Sequence, residues 1–496
     1  MTTLRFGTAG LRGPLREGPS GMNVATVSRA TAALGQYLIG AGHAGAVVVV
    51  ARDARTGSDE FAAATAEILA AQGFDVVRLP EPGPTPLLAF TVRDLGAAAG
   101  VQITASHNPA GDNGYKVYLD GGAQLIPPAD AAIEDLMSRA RATAARQPVA
   151  IDERGQRATD RYLARLAERF GSDTRRLRIA LTPMHGVGGE LAVRALRQAG
   201  FNDIHTVAAQ FAPDPAFPTV TFPNPEEPGA TDLVLDLARR VDADIALALD
   251  PDADRCAIGI PTPDGWRMLT GDETGALLGA YLLAGTPVRN PLVATTIVSG
   301  SLLGKVARAA GARYAQTLTG FKWLVRAGEG LIYAYEEAIG HCVDPDAVRD
   351  KDGISAAVAI AQLADSRGLS DCLDQLYRTH GVHLTTAFSV RVEDASQIAA
   401  IMDRLRGATP TVLAGLTVTT TDFAVRTDSL RTDAIAFTGN RDDGATIRMI
   451  VRPSGTEPKL KCYLEVSLAP GERRGHAEEL LATLTEDARA LVTFRR

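Results

Sequence analysis

The apolar residues of this chain fall first into short continuous blocks and only late into alternations. Ala46–Ala51 (AVVVVA) and Ala97–Ile103 (AAAGVQI) are blocks of small and β-branched residues, the pattern of strands covered on both faces. Between them, Ser58–Gln72 is amphipathic at helical spacing and stops at Gly73, and Phe74–Leu79 reads as a further strand. Strand, helix and strand in succession predict a parallel sheet with crossover helices. A polar helix over Ala129–Ala145 leads to a boundary near residue 150.

The cycle then repeats. Leu177–Leu181 reads as a strand, and a helix runs to Gln198 and Gly200. Pro213–Pro228 is proline-rich and aperiodic, which predicts a structured loop; helix Thr231–Val241 and buried strand Asp244–Leu249 follow. A third cycle comprises helix Glu273–Leu283, strand Pro291–Val298, helix Ser301–Gly311, strand Leu331–Tyr335 and helix Ile354–Ser366. From about Thr385 the pattern changes, and Phe388–Val392 and Leu416–Thr421 alternate as half-buried strands. The fold class expected is α/β: three doubly wound α/β domains of similar topology (1–150, 151–265, 266–384) and a C-terminal α+β domain (385–496). At roughly 150 residues per domain, a chain of 496 residues suits that division.

Composition narrows the class further. Hydrophobic residues make up 46% and charged residues 22%, as in globular proteins. A net charge of -7 argues against nucleic acid or an acidic membrane surface as partner, while leaving room for a local basic pocket. The opening MTTLRFGTAGLRG has no apolar core of signal-peptide length, and Ala44–Ala51 is too short to span a bilayer. Four scattered cysteines without a CxxC pair suit reduced thiols, so a cytoplasmic protein is expected.

Candidate chemistry sits where the strands end. The block Ala97–Ile103 runs into TASHNPAGDNGYK, a loop that puts Ser106 just past a strand terminus, with His107 beside it and Lys116 downstream. In open α/β sheets this is the edge where ligands bind. Strand Asp244–Leu249 runs into DPDADR, and a turn can aim Asp250, Asp252 and Asp254 at one centre. Crowded carboxylates repel unless a cation neutralises them, and oxygen-only ligands suit Mg²⁺; the plainer alternative is a solvated acidic turn. Arg255 is placed to balance charge or touch phosphate.

Further anion ligands are available. Arg452, Ser454, Gly455 and Thr456 in RPSGTEPKLK could form a phosphate nest, or simply a hairpin connection. Arg12, among the glycines of GTAGLRG, and Lys322, with Thr319 and Gly320 in TGFK, could each reach phosphate. Glu336 and Glu337 close an apolar strand and could accept hydrogen bonds from sugar hydroxyls, or act as helix N-terminal charges. Together these parts suit phosphoryl transfer, with Ser106 as nucleophile and Lys116 as acid/base. His107 enters as a catalytic candidate through adjacency alone.

ITASHNP, DPDADR, YEEAIG and RPSGTEPKLK, in this order, resemble the α-D-phosphohexomutases, which include phosphoglucomutases and phosphomannomutases. FGTAGLRG, MHGVGG, FPNPEEPG and TLTGFKW are most similar to the branch of phosphoglucomutase-2-like enzymes and phosphopentomutases. The resemblance implies four domains around a central cleft, and a Ser106 that is phosphorylated in the active enzyme. It implies one Mg²⁺ per chain, held by Asp250, Asp252, Asp254 and the phosphoserine. Arg12 and Lys116 become the acid/base candidates, Glu336 a sugar contact, and Arg452, Ser454, Gly455 and Thr456 a distal phosphate site. A sugar 1,6-bisphosphate would prime the enzyme and also be its intermediate.

Glucose 1-phosphate/6-phosphate interconversion is the first substrate expectation, with mannose or pentose phosphates as alternatives. Ala338 stands where many members carry a hydroxyl, which removes a sugar contact. An aspartate-based phosphatase using Asp250, or a silent phosphosugar-binding protein, would leave Ser106 or the full constellation without work. A phosphosugar is the expected partner, and the chain is expected to be a monomer or homodimer.

Overall fold

The computed structural model describes all residues except 1–3, 8–9, 120, 141–143, 172–173, 393–394, 455–458 and 494–496. Its residues pack as two compact units. One comprises Met1–Gly271 with Leu331–Gly368, the other Asp272–Gly330 with Leu369–Arg496. The division cuts through the stretch expected as a third domain.

The first unit holds two sheets and a further strand pair. Strands β1 (Leu11–Pro14), β2 (Val47–Arg52), β3 (Asp75–Arg78), β4 (Ala99–Ile103), β5 (Asp112–Leu119) and β6 (Ala123–Gln124) form a sheet ordered β1-β5-β4-β2-β3, with β6 on β5. Parallel pairing is confined to β3-β2-β4, the part built by crossover helices. β5 turns back antiparallel on β4, with Lys116 opposite Gln102, and β1 is antiparallel to β5. The parallel sheet expected with crossover helices is present in β3-β2-β4, and the antiparallel β5 and β1 make the whole sheet mixed. The reason is the short loop after β4, which can return a chain only in the antiparallel sense. Val48, Val50, Val101, Leu34, Leu69 and Tyr115 pack in one core. At roughly 1.5–3 kcal/mol per fully buried large apolar side chain, such packing anchors the strand ends where the polar residues begin.

The second sheet contains β7 (Arg175–Thr182), β8 (Phe201–Thr206), β9 (Ile245–Leu249), β10 (Cys256–Thr262) and β11 (Gly265–Met268), ordered β11-β10-β9-β7-β8. β7, β8 and β9 are parallel, while β10 and β11 form antiparallel hairpins. Every residue of β9 is buried, so the chain has a rigid base immediately before Asp250. The polar helix expected over Ala129–Ala145 ends at Arg139, and 141–143 lie outside the described residues.

In the second unit, β12 (Leu292–Thr296) and β13 (Arg313–Thr317) pair in parallel. In the first unit, β14 (Leu331–Glu336) and β15 (Gly340–Cys342) pair antiparallel, and Gly340 bridges to Arg255. The C-terminal sheet, again in the second unit, contains β16 (His383–Arg391), β17 (Val412–Leu413), β18 (Leu416–Asp422), β19 (Ile435–Asn440), β20 (Thr446–Pro453) and β21 (Lys459–Ser467). Its order is β16-β21-β20-β19-β18-β17, antiparallel throughout, so it carries the alternating pattern of a one-sided sheet.

Candidate active site

β4 delivers the serine. All its residues are buried, and Ser106 follows after one turn with φ at 53°, a left-handed conformation that non-glycine residues rarely adopt. The Ser106 N–H donates to Thr104 Oγ1 at 2.9 Å, which satisfies the turn locally. The Ser106 hydroxyl is buried and donates to Asp250 Oδ2 at 2.9 Å; His107 Nδ1 lies 3.3 Å from the same oxygen.

β9 delivers the three carboxylates. A turn closed by the Ala253 N–H on Asp250 O, with Ala253 at φ 49°, brings Asp250, Asp252 and Asp254 together. One oxygen from each lies within 4.8 Å of the others, and all three residues are fully buried. The turn is seated on glycine: a Cβ at Gly186 would lie 2.4–2.7 Å from Pro251 backbone atoms. This gives the MHGVGG stretch a physical role beneath the acidic turn.

Cations surround the carboxylates. Lys116 Nζ donates to Asp252 Oδ2 at 2.6 Å and to Asp254 Oδ2 at 2.8 Å. Lys351 Nζ is 3.3 Å from Asp254, and Arg255 Nε is 3.7 Å from it. The Arg255 N–H donates to Asp250 Oδ1 at 3.0 Å, and Thr85 Oγ1 donates to Asp252 Oδ2 at 2.5 Å. Yet Asp252 Oδ1 and Asp254 Oδ1 are buried without a hydrogen bond among the described residues. Two such oxygens in an all-oxygen set are what a hard divalent cation would satisfy, so the residues present fit Mg²⁺.

Charge states follow from this crowding. Burial, reinforced by Asp252 and Asp254, pushes Asp250 well above the ordinary carboxylate range. Burial acts the same way on Asp252, but the charge and hydrogen bond of Lys116 outweigh it and hold that carboxyl low. Asp254 is also lowered: burial and Asp252 oppose Lys116, Lys351 and Arg255, and the cations prevail. Burial, Arg255 and Arg12 depress His107 far below the usual imidazole value. A neutral His107 keeps a ring nitrogen near Ser106 but cannot supply a cation.

Arg12, on β1 opposite Gly114, has a buried Nε with no hydrogen-bond partner among the described residues. Burial lowers its pKa against the attraction of Asp252 and Asp254. Glu336 ends β14 with its carboxylate 3.9 Å from Arg255; burial raises its pKa while Lys351 and Arg255 oppose the rise. Glu337 follows in the turn towards β15.

The remaining candidates belong to the second unit. Thr319 precedes Gly320, which caps a single helical turn Phe321–Leu324, and Lys322 Nζ sits 5.7 Å from the Trp323 ring centroid. Arg452, near the end of β20, donates to Tyr463 OH at 3.2 Å and lies over its ring. The Ser454 N–H donates to Lys459 O at 2.8 Å, so a hairpin connection is present there. Gly455 and Thr456 lie outside the described residues.

Several site residues are not evident from sequence. Lys116 was expected in a loop and stands instead on β5, whose residues from Asn113 to Leu119 are all buried. Lys351 and Asp350 sit before helix Gly353–Arg367 in a stretch that reads as an ordinary charged turn. Asp350 is buried and accepts from Tyr118 OH at 2.7 Å and Gln124 at 2.6 Å. Its proximity to the acidic turn depends on Gly353, whose N–H donates to Ala253 O at 3.1 Å and whose Cβ position is blocked by Arg255 O. No spacing rule connects residues this far apart.

Comparison with known proteins identifies the family. Residues 3–144, 160–262 and 270–380 match the phosphoglucomutase/phosphomannomutase α/β/α domains I, II and III, and residues 389–482 match the C-terminal domain of the same family. A Haemophilus influenzae protein named "Probable phosphomannomutase" is 38% identical over 95% of this chain and 98% of its own length. The human phosphopentomutase is 33% identical over 97% of this chain and 88% of its own. A Staphylococcus aureus phosphoglucomutase is 33% identical over 93% and 89% respectively. With all four domains matched in order, the chain belongs to the phosphoglucomutase/phosphomannomutase family of the α-D-phosphohexomutases, enzymes that act as intramolecular phosphotransferases on sugar phosphates.

Proposed function

We propose that this enzyme interconverts glucose 1-phosphate and glucose 6-phosphate through a phosphorylated Ser106 and a bisphosphorylated sugar. The observation that carries the reading is Ser106 Oγ on Asp250 at 2.9 Å, with Asp252 and Asp254 beside it and Lys116 bridging them. A serine hydroxyl needs its developing charge met, and here the donor set for a divalent cation adjoins the oxygen itself. Asp250, Asp252 and Asp254 would hold Mg²⁺, which when bound neutralises charge on the transferred phosphoryl group.

The residues of the chain do the rest. In the first transfer a sugar hydroxyl oxygen forms a bond to phosphorus while the P–Oγ bond of Ser106 breaks. The hydroxyl proton passes to a nearby base, for which Lys116 Nζ and the Arg12 guanidinium are the candidates. The freed Ser106 Oγ takes up that proton from the base. In the second transfer Ser106 Oγ gives a proton back as it bonds to the phosphorus of the other phosphate. The bond from that phosphorus to the sugar oxygen breaks, and the sugar oxygen takes up the proton from the same group. Arg255 and Lys351 keep positive charge beside the acidic turn. Glu336 would receive sugar hydroxyls, and within the second unit Thr319, Lys322, Arg452 and Ser454 offer donors of the kind that bind phosphate.

A pentose phosphate is the second reading. It is favoured by Ala338, which offers no hydroxyl to a hexose, and by the similarity to a phosphopentomutase. Rates on glucose, mannose, glucosamine and ribose 1-phosphates, measured side by side with the cognate 1,n-bisphosphate primer, decide between them. The glucose reading expects the highest kcat/KM on glucose 1-phosphate. A tenfold preference for ribose 1-phosphate would replace it.

A further inference from the structure

Arg55 is a buried charge, outside the carboxylates and their cations, that has no part in the reaction as described. It lies just after β2, in the turn that leads to helix Ser58–Ala71, and only 4% of it is exposed. Its guanidinium faces the backbone of the serine loop. One terminal nitrogen donates to Ser106 O and Asn108 O, both at 2.6 Å. The other donates to Pro109 O at 2.8 Å and Asp112 O at 3.2 Å. All four terminal N–H groups are thus engaged with carbonyls that span the loop from the nucleophile to the start of β5. With those hydrogens taken, Arg55 is not placed to bind a phosphate itself.

The clamp is held from behind. Asp53 Oδ2 is 3.3 Å from Arg55 Nε, and Asp53 Oδ1 accepts from Ser58 Oγ at 2.6 Å and from the Arg55 N–H at 2.9 Å. Asn113 donates to Ser58 Oγ at 3.0 Å and to Thr56 O at 2.9 Å, which ties the far end of the loop to the same turn. Phe217, from the proline-rich stretch, covers the guanidinium with its ring centroid 4.9 Å away.

We infer that Arg55 is the positioning residue of the phosphoryl-carrying serine: it holds the loop carbonyls so that Ser106, in its left-handed conformation, keeps Oγ on the acidic turn through both transfers. A left-handed non-glycine residue is strained, and a loop of free carbonyls would relax it. Arg suits the task because a planar fork supplies several donors in fixed directions, whereas a lysine ammonium has three on a flexible stem. Misplacing a nucleophile by about 1 Å can cost on the order of a hundredfold in rate.

The inference rests on the phosphomutase reading, and the test separates the two. Wild type, Arg55→Lys and Arg55→Ala are compared in steady-state turnover of glucose 1-phosphate with glucose 1,6-bisphosphate. Single-turnover phosphorylation of Ser106 by that bisphosphate is followed by intact mass, and thermal melting is recorded. A wild type that neither turns over nor takes up phosphate would overturn the phosphomutase reading, and this inference with it. With an active wild type, Arg55→Lys should stay folded, since it keeps a buried charge beside Asp53. It should lose at least tenfold in kcat and the same factor in the Ser106 phosphorylation rate, with KM within about twofold. Wild-type kcat and phosphorylation rate in folded Arg55→Lys would overturn the positioning role, as would a loss seen only in KM. Should Arg55→Ala fail to fold, Arg55→Lys alone carries the test.

Discussion

Lys116 Nζ stands between Asp252 and Asp254, 2.6 Å from one carboxylate and 2.8 Å from the other, all three side chains buried. This single ammonium joins β5 of the serine sheet to the acidic turn after β9. Removing it leaves buried like charges. Truncating one partner of a buried pair typically costs about 3–5 kcal/mol. Lys116→Ala is therefore expected to melt well below wild type without metal, and to gain more from added Mg²⁺, which replaces the missing charge. Melting curves with and without Mg²⁺ check this; an equal Mg²⁺ shift in both proteins would argue against a shared role at the carboxylates.

Asp252 and Asp254 each carry a buried oxygen without a hydrogen bond among the described residues, which makes the set ready for a divalent ion. Activity should vanish in excess EDTA and return on adding Mg²⁺. Asp252→Asn should lower kcat by at least a hundredfold and raise the Mg²⁺ concentration needed for half-maximal rate. Full activity in EDTA would remove the metal from the account.

A stability prediction concerns the second unit. Glu465 on β21 is buried, accepts from Ser301 N and Oγ at 2.7 Å each, and lies 2.7 Å from Arg448 and 3.2 Å from His383 Nδ1. Burial alone would raise its pKa, but Arg448 and His383 dominate and hold it below the usual range. A carboxyl depressed on folding stabilises above its unfolded pKa, near 4.3, and that contribution is lost as pH falls through the folded value. Glu465→Gln should therefore be less stable than wild type at pH 7, and the gap should narrow as the pH drops below about 4. Denaturant unfolding at pH 7 and pH 3.5 measures it; a constant gap would contradict the assigned charge.

Thr85 offers a narrower test. Its hydroxyl donates to Asp252 at 2.5 Å and its N–H to Asp252 O at 3.0 Å, so it orients that carboxylate from the neighbouring sheet. Thr85→Val keeps the shape and removes the hydroxyl. A loss of roughly tenfold in kcat with little change in melting temperature is expected, in line with the weight of residues that orient metal ligands. An unchanged kcat would show that the backbone contact suffices.

Sequence reading reached the parts whose chemistry is local. DPDADR follows a block of five buried residues, β9, so its carboxylates could be placed at a strand end without knowing the fold. Ser106 was legible for the same reason after β4. Lys116 was legible as a residue but not as a strand position, since the loop chemistry of Asn108–Asn113 obscures where β5 begins. Arg55, Lys351, Asp350 and Thr85 were hidden because each acts across a long sequence separation. In sequence a lone arginine in a turn is most simply solvated, and only the return of β5 on β4 brings the serine-loop carbonyls over Arg55. The proline-rich stretch shows the same limit: it reads as loop, yet Phe217 lies over Arg55 and Glu226 is 3.6 Å from Arg255.

The central claim is that phosphate passes through Ser106. Its most direct test is transfer of labelled phosphate from glucose 1,6-bisphosphate to the purified enzyme, located by peptide mass, alongside turnover of glucose 1-phosphate by wild type and Ser106→Ala. The account predicts one phosphate on Ser106 in wild type, and neither label nor turnover in a folded Ser106→Ala. Undiminished mutase turnover in Ser106→Ala, or label carried on Asp250 instead, would contradict it.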